Sequence, residues 1–195
     1  MSETADLRPP ILLLAMPQVQ DPFFHKSVIL LLHHQDEGSL GFIVNRPTGV
    51  KIADILADLE MPWLGEENAP AFFGGPVEPQ IGTLLFHSDP STAATVASNE
   101  ICPGVAWTQH AGDLENLAEE PPSSFRLLLG YAGWSEGQLI QELLRNDWLI
   151  APVREDLIFN EHPEDVWRLA LESVGIDPVQ LPPVTPDGRD ASAAN

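Results

Sequence analysis

"SVILLLHHQDEGSLGFIVNRP" occupies residues 27–47. Two apolar, β-branched-rich runs flank the polar, glycine-containing segment "QDEGS". Such a pattern predicts a β-hairpin with a medium loop. The first run, "VILLL" (28–32), is apolar at consecutive positions. Neighbouring side chains on a strand point to opposite faces, so this strand must be central and buried on both. A sheet covered on both sides is thus the first structural requirement.

The rest of the chain supplies its neighbours. Upstream, "ILLLAM" (11–16) is strand-sized, and Asp21–Pro22 in "MPQVQDPFF" (16–24) can start one helical turn. Downstream, "TGVKIADILADL" (48–59) places Ile52, Ile55, Leu56 and Leu59 on one helical stripe. "EMPWLGEENAP" (60–70) has loop composition. "AFFGGPVEPQIGTLLFHS" (71–88) reads as strand, Gly-Gly-Pro turn, strand, and "VASNEICPGVAWTQ" (96–109) as a strand pair. A short helix follows over 112–120, with Asp113 as its cap, and then the buried strand "FRLLLG" (125–130).

"GYAGWSEGQL" (130–139) predicts a glycine-permitted corner leading into a helix. Ser135 and Gln138 have capping-box spacing, and Leu139, Ile140, Leu143 and Leu144 form the apolar face. Gly137 falls in the first helical turn, where close packing or an approaching ligand would account for it. "DWLIAP" (147–152) and "DLIF" (156–159) read as strands, and "PEDVWRLALESVG" (163–175) as a helix stopped by Gly175.

Strands that follow one another directly, with helices between groups, predict an α+β fold. The expectation is a single compact domain over 11–178, a mixed, largely antiparallel sheet and packed helices. Residues 1–10 read as a flexible N-terminus and 179–195 as a disordered tail.

Composition narrows the function. The chain has 195 residues and a formal net charge of −20, from 29 acidic residues against 9 Lys and Arg. Residues 52–125 hold 12 Asp and Glu and no Lys or Arg. Nucleic-acid binding draws its affinity from cations that neutralise phosphates, so direct binding is disfavoured, as is an anionic membrane surface. The apolar runs fall short of the roughly 18 residues of a membrane helix. "MSETADLRPP" lacks the basic and apolar regions of a secretory signal, and the lone Cys102 permits no internal disulfide. These features fit the cytoplasm.

The familiar catalytic signatures do not occur. There is no G-x-S-x-G, no Walker A loop and no G-x-G-x-x-G. His33 and His34 face opposite sides of a strand and cannot chelate as a simple pair. No H-E-x-x-H or paired cysteine is present. No cofactor, metal or catalytic residue is therefore assigned, and the balance falls against an enzyme. Cys102 reads as a small buried hydrophobe.

What remains is a set of polar residues that end apolar strands: His34, Asn45, Arg46, Glu78, His87 and Ser88. Of these Asn45, Arg46, Glu78 and His87, with Trp134 and Gln138, form the candidate ligand-binding set. Arg46 is one of few cations and could bind an anionic ligand or partner. The plainer reading is an ion pair with Glu78 or a helix carboxylate. For the five tryptophans, core packing outweighs ligand stacking.

Three blocks together resemble a known family. "MPQVQDPFFHKSVILLLHHQDEGSLGFIVNRPT", "GGPVEPQIGTLLFHS" and "RLLLGYAGWSEGQLIQELLRNDWLIAPVREDLIF" are similar, in this order, to the YqgE/AlgH family of bacterial proteins. Matching positions include Asn45, Arg46, Pro47, Gly74, Gly75, Pro76, His87, Gly130, Tyr131, Trp134, Gly137, Gln138 and Leu139. The resemblance implies a small cytosolic α/β protein and carries no catalytic residues. One branch has a name tied to transcriptional regulation of alginate production. The expected function is a non-catalytic regulatory or binding protein acting through a protein or small anionic ligand. The alternative is an enzyme acting on a small anion near Asn45, Arg46 and His87. A homo-oligomer is a third role.

Overall fold

The central hairpin sets the architecture. In the structure, a computed structural model that describes residues 7–90 and 99–181, β2 (Val28–Gln35) and β3 (Gly38–Ile43) pair antiparallel. Val28 to Leu31 are fully buried, as consecutive apolar residues on a doubly covered strand require. The loop is tighter than "QDEGS" suggests, because Gln35 pairs with Gly38 and only Asp36 and Glu37 lie between the strands.

β1 (Ile11–Ala15) pairs with the other edge of β2, and β10 (Trp148–Ala151) with β1. On the opposite side β3 meets β9 (Phe125–Ser135). Beyond it come β6 (Val77–His87), β8 (Val105–Thr108) and β7 (Asn99–Cys102). β4 (Pro47–Lys51) pairs with β5 (Pro70–Phe73), and β5 runs parallel to the first half of β9. The other described pairings are antiparallel. This is the mixed, largely antiparallel α+β sheet.

Five helices cover it: α1 (Ile52–Asp58), α2 (Ala111–Glu119), α3 (Gln138–Leu144), α4 (Glu155–Ile158) and α5 (Val166–Ser173). Strand alternation sorts the core. Leu12, Leu14, Val28, Leu30 and Phe42 pack with α4 and α5. Their neighbours Leu13, Ala15, Ile29, Leu31 and Ile43 pack with Leu139 of α3, Trp134 and Trp148. Ile52 and Leu56 of α1 and Leu117 of α2 cover Leu84, Phe86 and Leu127. Among the described residues, no helix is long and apolar enough to cross a membrane.

Several local expectations change. "GYAGWS" is strand, not corner: β9 continues to Ser135 because its second half finds β3 as a new partner. Gly137 lies just outside α3 at φ 68°, in the left-handed region. A side chain there would meet nothing within 4 Å, so backbone conformation, not close packing, calls for glycine. The capping box forms in part, since Gln138 Oε1 accepts from the Ser135 backbone N–H at 3.1 Å.

Asp113 does not cap α2. The N-cap is His110, and Asp113 lies buried in the first turn, accepting from Thr108 Oγ1 at 2.6 Å. "DLIF" forms a single helical turn, α4, because no strand edge is paired with it. Pro47–Lys51 is strand, so α1 starts at Ile52 and ends before Leu59, which is exposed. Leu144 at the end of α3 is also exposed. Val166, Trp167, Ala170 and Leu171 of α5 are buried as their spacing predicts. The first six residues, the "VAS" of the predicted strand pair and the tail beyond residue 181 lie outside the described residues.

Candidate functional site

Asn45 and Arg46 end β3's extension and fasten the preceding loop. Asn45 Oδ1 accepts from the Val28 N–H at 2.8 Å, and its Nδ2 donates to the Lys26 carbonyl at 3.0 Å. Arg46 Nη1 and Nη2 donate to the carbonyls of Pro22 and His25, at 2.6 and 2.8 Å. The ion-pair reading of Arg46 with Glu78 is corrected: its guanidinium closes the 21–25 turn instead. Burial lowers its pKa, and the Asp21 charge acts in the opposite direction. Glu78 stands beside Tyr131; burial first, then the Glu78 charge and hydrogen bond, raise the tyrosine's pKa.

His87 belongs to a different neighbourhood. Its Nδ1 lies 2.5 Å from Glu155 Oε1 on α4. Asn45, Arg46 and His87 share no hydrogen-bond partner among the described residues. Cys102 is half-buried, and burial followed by the charges of Glu155 and Glu100 pushes its thiol pKa up. Carboxylates beside a thiol suppress the thiolate that a nucleophile needs.

Trp134 and Gln138 meet around one carboxylate. The indole Nε1 atoms of Trp134 and Trp148 donate to Glu142 Oε2 at 2.7 and 2.8 Å, and Gln138 Nε2 donates to Oε1 at 2.9 Å. The two indoles contact edge to face at 5.9 Å. The cavity beside α3, about 340 Å³, is lined by Asp21, Glu142 and Asp147, with Arg145 paired to Asp147 at 2.8 Å, so the balance of its charges disfavours an anion. Glu142→Leu should lower stability by about 1–2 kcal/mol by leaving both indole N–H groups without an acceptor. Glu142→Gln, which keeps one acceptor oxygen, should recover most of it. Urea melts of the two variants check this; equal losses would show that the negative charge matters rather than the acceptor.

The structure brings forward a residue that the sequence reading passed over. Arg126, the second residue of β9, pairs across the sheet with Leu85 and is only 4% exposed. Its guanidinium lies 3.9 Å from the centre of the Phe72 ring. Nη2 donates to the Asn160 carbonyl at 2.7 Å. Nε and Nη1 are buried and have no hydrogen-bond partner among the described residues. Burial pushes its pKa down to about 10, so it remains a cation at neutral pH.

Arg126 lines a cavity of about 500 Å³, with Trp63 and Pro122 on the loops, Phe72 and Phe125 on the sheet, and Phe159 and Asn160 after α4. Trp63 is held by its indole N–H on the Glu66 carbonyl, at 2.8 Å, and by ring contact with Phe125 at 5.7 Å. Glu66 and Glu161 also contribute to the lining. Buried donors are nearly always satisfied in native proteins. A guanidinium with idle donors at a cavity wall is suited to receive an acceptor from outside the chain. The clue in the sequence was Arg126 itself: it ends the cation-free stretch and stands inside an apolar strand run.

Fold and cavity together define a single-domain α+β protein with a buried cation in the lining of a cavity. The chain belongs to the AlgH-like family, whose model matches residues 12–179. A UPF0301 protein of Methylococcus capsulatus is 39% identical over 168 residues, 85% of this chain and 88% of the relative. A UPF0301 protein of Shewanella loihica is 38% identical over 174 residues, 87% and 92% of the two chains. Among solved structures, the AlgH protein of Pseudomonas aeruginosa matches with a TM-score of 0.70 at 30% identity, covering 88% of this chain and 94% of that one. A protein of Corynebacterium diphtheriae shares the fold, with a TM-score of 0.72 at 23% identity over 86% and 87% of the chains.

Proposed function

We propose that this chain is a non-catalytic regulatory or binding protein whose cavity takes a small anionic ligand. Any influence on transcription then runs through that ligand or a partner protein, not through contact with DNA. One observation carries the reading: Arg126 is 4% exposed, and its Nε and Nη1 have no partner among the described residues. A net charge of −20 supports the indirect route, because phosphate contacts need cations.

Thermal melts of the native chain in a panel of small inorganic and organic anions test the reading. At least one anion class should raise Tm in the native chain and not in Arg126→Met. A panel without any shift defeats it. In gel shifts at about 0.15 M salt, duplex DNA should migrate unretarded. A tight, sequence-specific shift would remove the indirect clause.

A further inference from the structure

We propose that the ligand of the Arg126 cavity is a planar aromatic monocarboxylate. The proposal rests on the reading of this cavity as an anion site and adds the ligand's chemical class.

Charge decides the head group. Among the described residues Arg126 is the one cation in the lining, to which Glu66 and Glu161 also belong. A phosphate monoester carries about −1.5 to −2 at neutral pH. Placed here, it would leave excess negative charge next to two carboxylates, in a chain already at −20. A carboxylate carries one charge and cancels one guanidinium.

Geometry decides the approach. Phe72 covers a face of the guanidinium at 3.9 Å, so a ligand that displaces the lining over the buried Nε and Nη1 must approach along its plane. Planar carboxylates meet guanidinium edges in this way, with N–H groups directed at their oxygens. The Asn160 carbonyl already holds Nη2, which fixes the orientation of the plane before a ligand arrives.

The walls decide the body. Trp63, Phe72, Phe125 and Phe159 give the cavity an aromatic lining. Ring faces and edges favour offset stacking and edge contacts with another ring over contact with a flexible alkyl chain. A volume of about 500 Å³ lies in the usual range for small-molecule sites, roughly 300–1,000 Å³, and admits a substituted ring.

Isothermal titration of the full chain with cinnamate, hexanoate and inorganic phosphate tests the proposal. Cinnamate should bind about ten-fold tighter than either of the others. Arg126→Met should lose cinnamate binding. Arg126→Lys, which keeps the charge but not the planar edge, should weaken it about five-fold or more; this variant serves even if Arg126→Met fails to fold. Phosphate binding as tightly as cinnamate, and lost in Arg126→Met, overturns the ligand class and leaves the anion reading intact. Hexanoate matching cinnamate overturns the aromatic requirement. Cinnamate binding that is unchanged in both variants overturns the site. No binding by any probe, together with melts that no anion shifts, overturns the class and the anion reading alike.

Discussion

Gly75→Ala should leave little folded protein. Gly75 has φ 155°, and a Cβ built there would lie 2.0 Å from the Tyr131 carbonyl carbon, 2.2 Å from its oxygen and 2.3 Å from the Ala132 nitrogen. All three are backbone atoms, which no rotamer change can move. The crowding is mutual. A Cβ on Gly74 would lie 2.3 Å from the Gly130 oxygen, and one on Gly130 would lie 2.4 Å from the Gly75 oxygen. The Gly-Gly-Pro segment and the "GYA" of β9 therefore pass in direct backbone contact. Here β9 exchanges β5 for β3 as its neighbour, so forcing the two segments apart would open both halves of the sheet. A loss above about 4 kcal/mol is expected, the range of severe packing failures. Urea denaturation should show no cooperative transition, or the variant should be insoluble. Gly137→Ala, with open space around the added Cβ and φ 68°, should cost only about 1–2 kcal/mol. A Gly75→Ala protein as stable as the native chain would mean that the crossing is looser than described.

The same crossing shows why part of the fold was legible in the sequence and part was not. The doubly apolar "VILLL" run (28–32) can be satisfied only by a central strand, and the i, i+1, i+4, i+5 stripe of Val166, Trp167, Ala170 and Leu171 only by a helix packed on it. Both are local patterns with one physical solution. The glycines of "GYAGWS" fit two: a turn, or a strand that another backbone approaches closely. The choice depends on Gly74 and Gly75, more than fifty residues earlier in the chain, and no local periodicity encodes it. "DLIF" failed for a related reason, since an apolar run that short fits a strand or one helical turn until its neighbours are known.

The candidate site was legible only in outline. A scarce cation that could bind an anion was the kind of group the sequence pointed to, and Arg46 drew the attention because it ends a strand. Its hydrogen bonds to Pro22 and His25 hold the chain's own loop. Arg126 looked like part of a core strand, and burial is what makes its idle donors meaningful. Sequence shows where a charge lies along the chain, while the partners that leave it satisfied or unsatisfied come from distant segments, here Phe72 and Asn160.

Arg126→Met should make the ligand-free protein more stable, by about 2 kcal/mol. Most core substitutions destabilise, so the sign is itself the test. Burial lowers the Arg126 pKa from its ordinary value to about 10, which corresponds to roughly 3 kcal/mol of unfavourable desolvation for the charged form. Methionine loses the contact with Phe72 and the charge-assisted bond to the Asn160 carbonyl, together about 3 kcal/mol, but it removes two buried donors without partners among the described residues, about 2 kcal/mol, and fills similar space without a charge. The sign of the pH effect follows. The folded pKa lies below the unfolded one, so the unfolded chain holds the proton more tightly and the charged group costs stability at every pH below about 10. The gap between the variants should thus stay constant from about pH 6 to 9 and narrow as the pH rises above about 10. Urea melts of both proteins across this range measure it. Ligand should close the gap from the other side, because at about 100 times Kd it adds roughly 2.7 kcal/mol to the native chain alone. Arg126 would then be a residue retained at a loss to stability for what it binds. If Arg126→Met instead destabilises the protein by more than about 1 kcal/mol, the guanidinium is a structural brace between Phe72 and Asn160, and the cavity has to be explained without it.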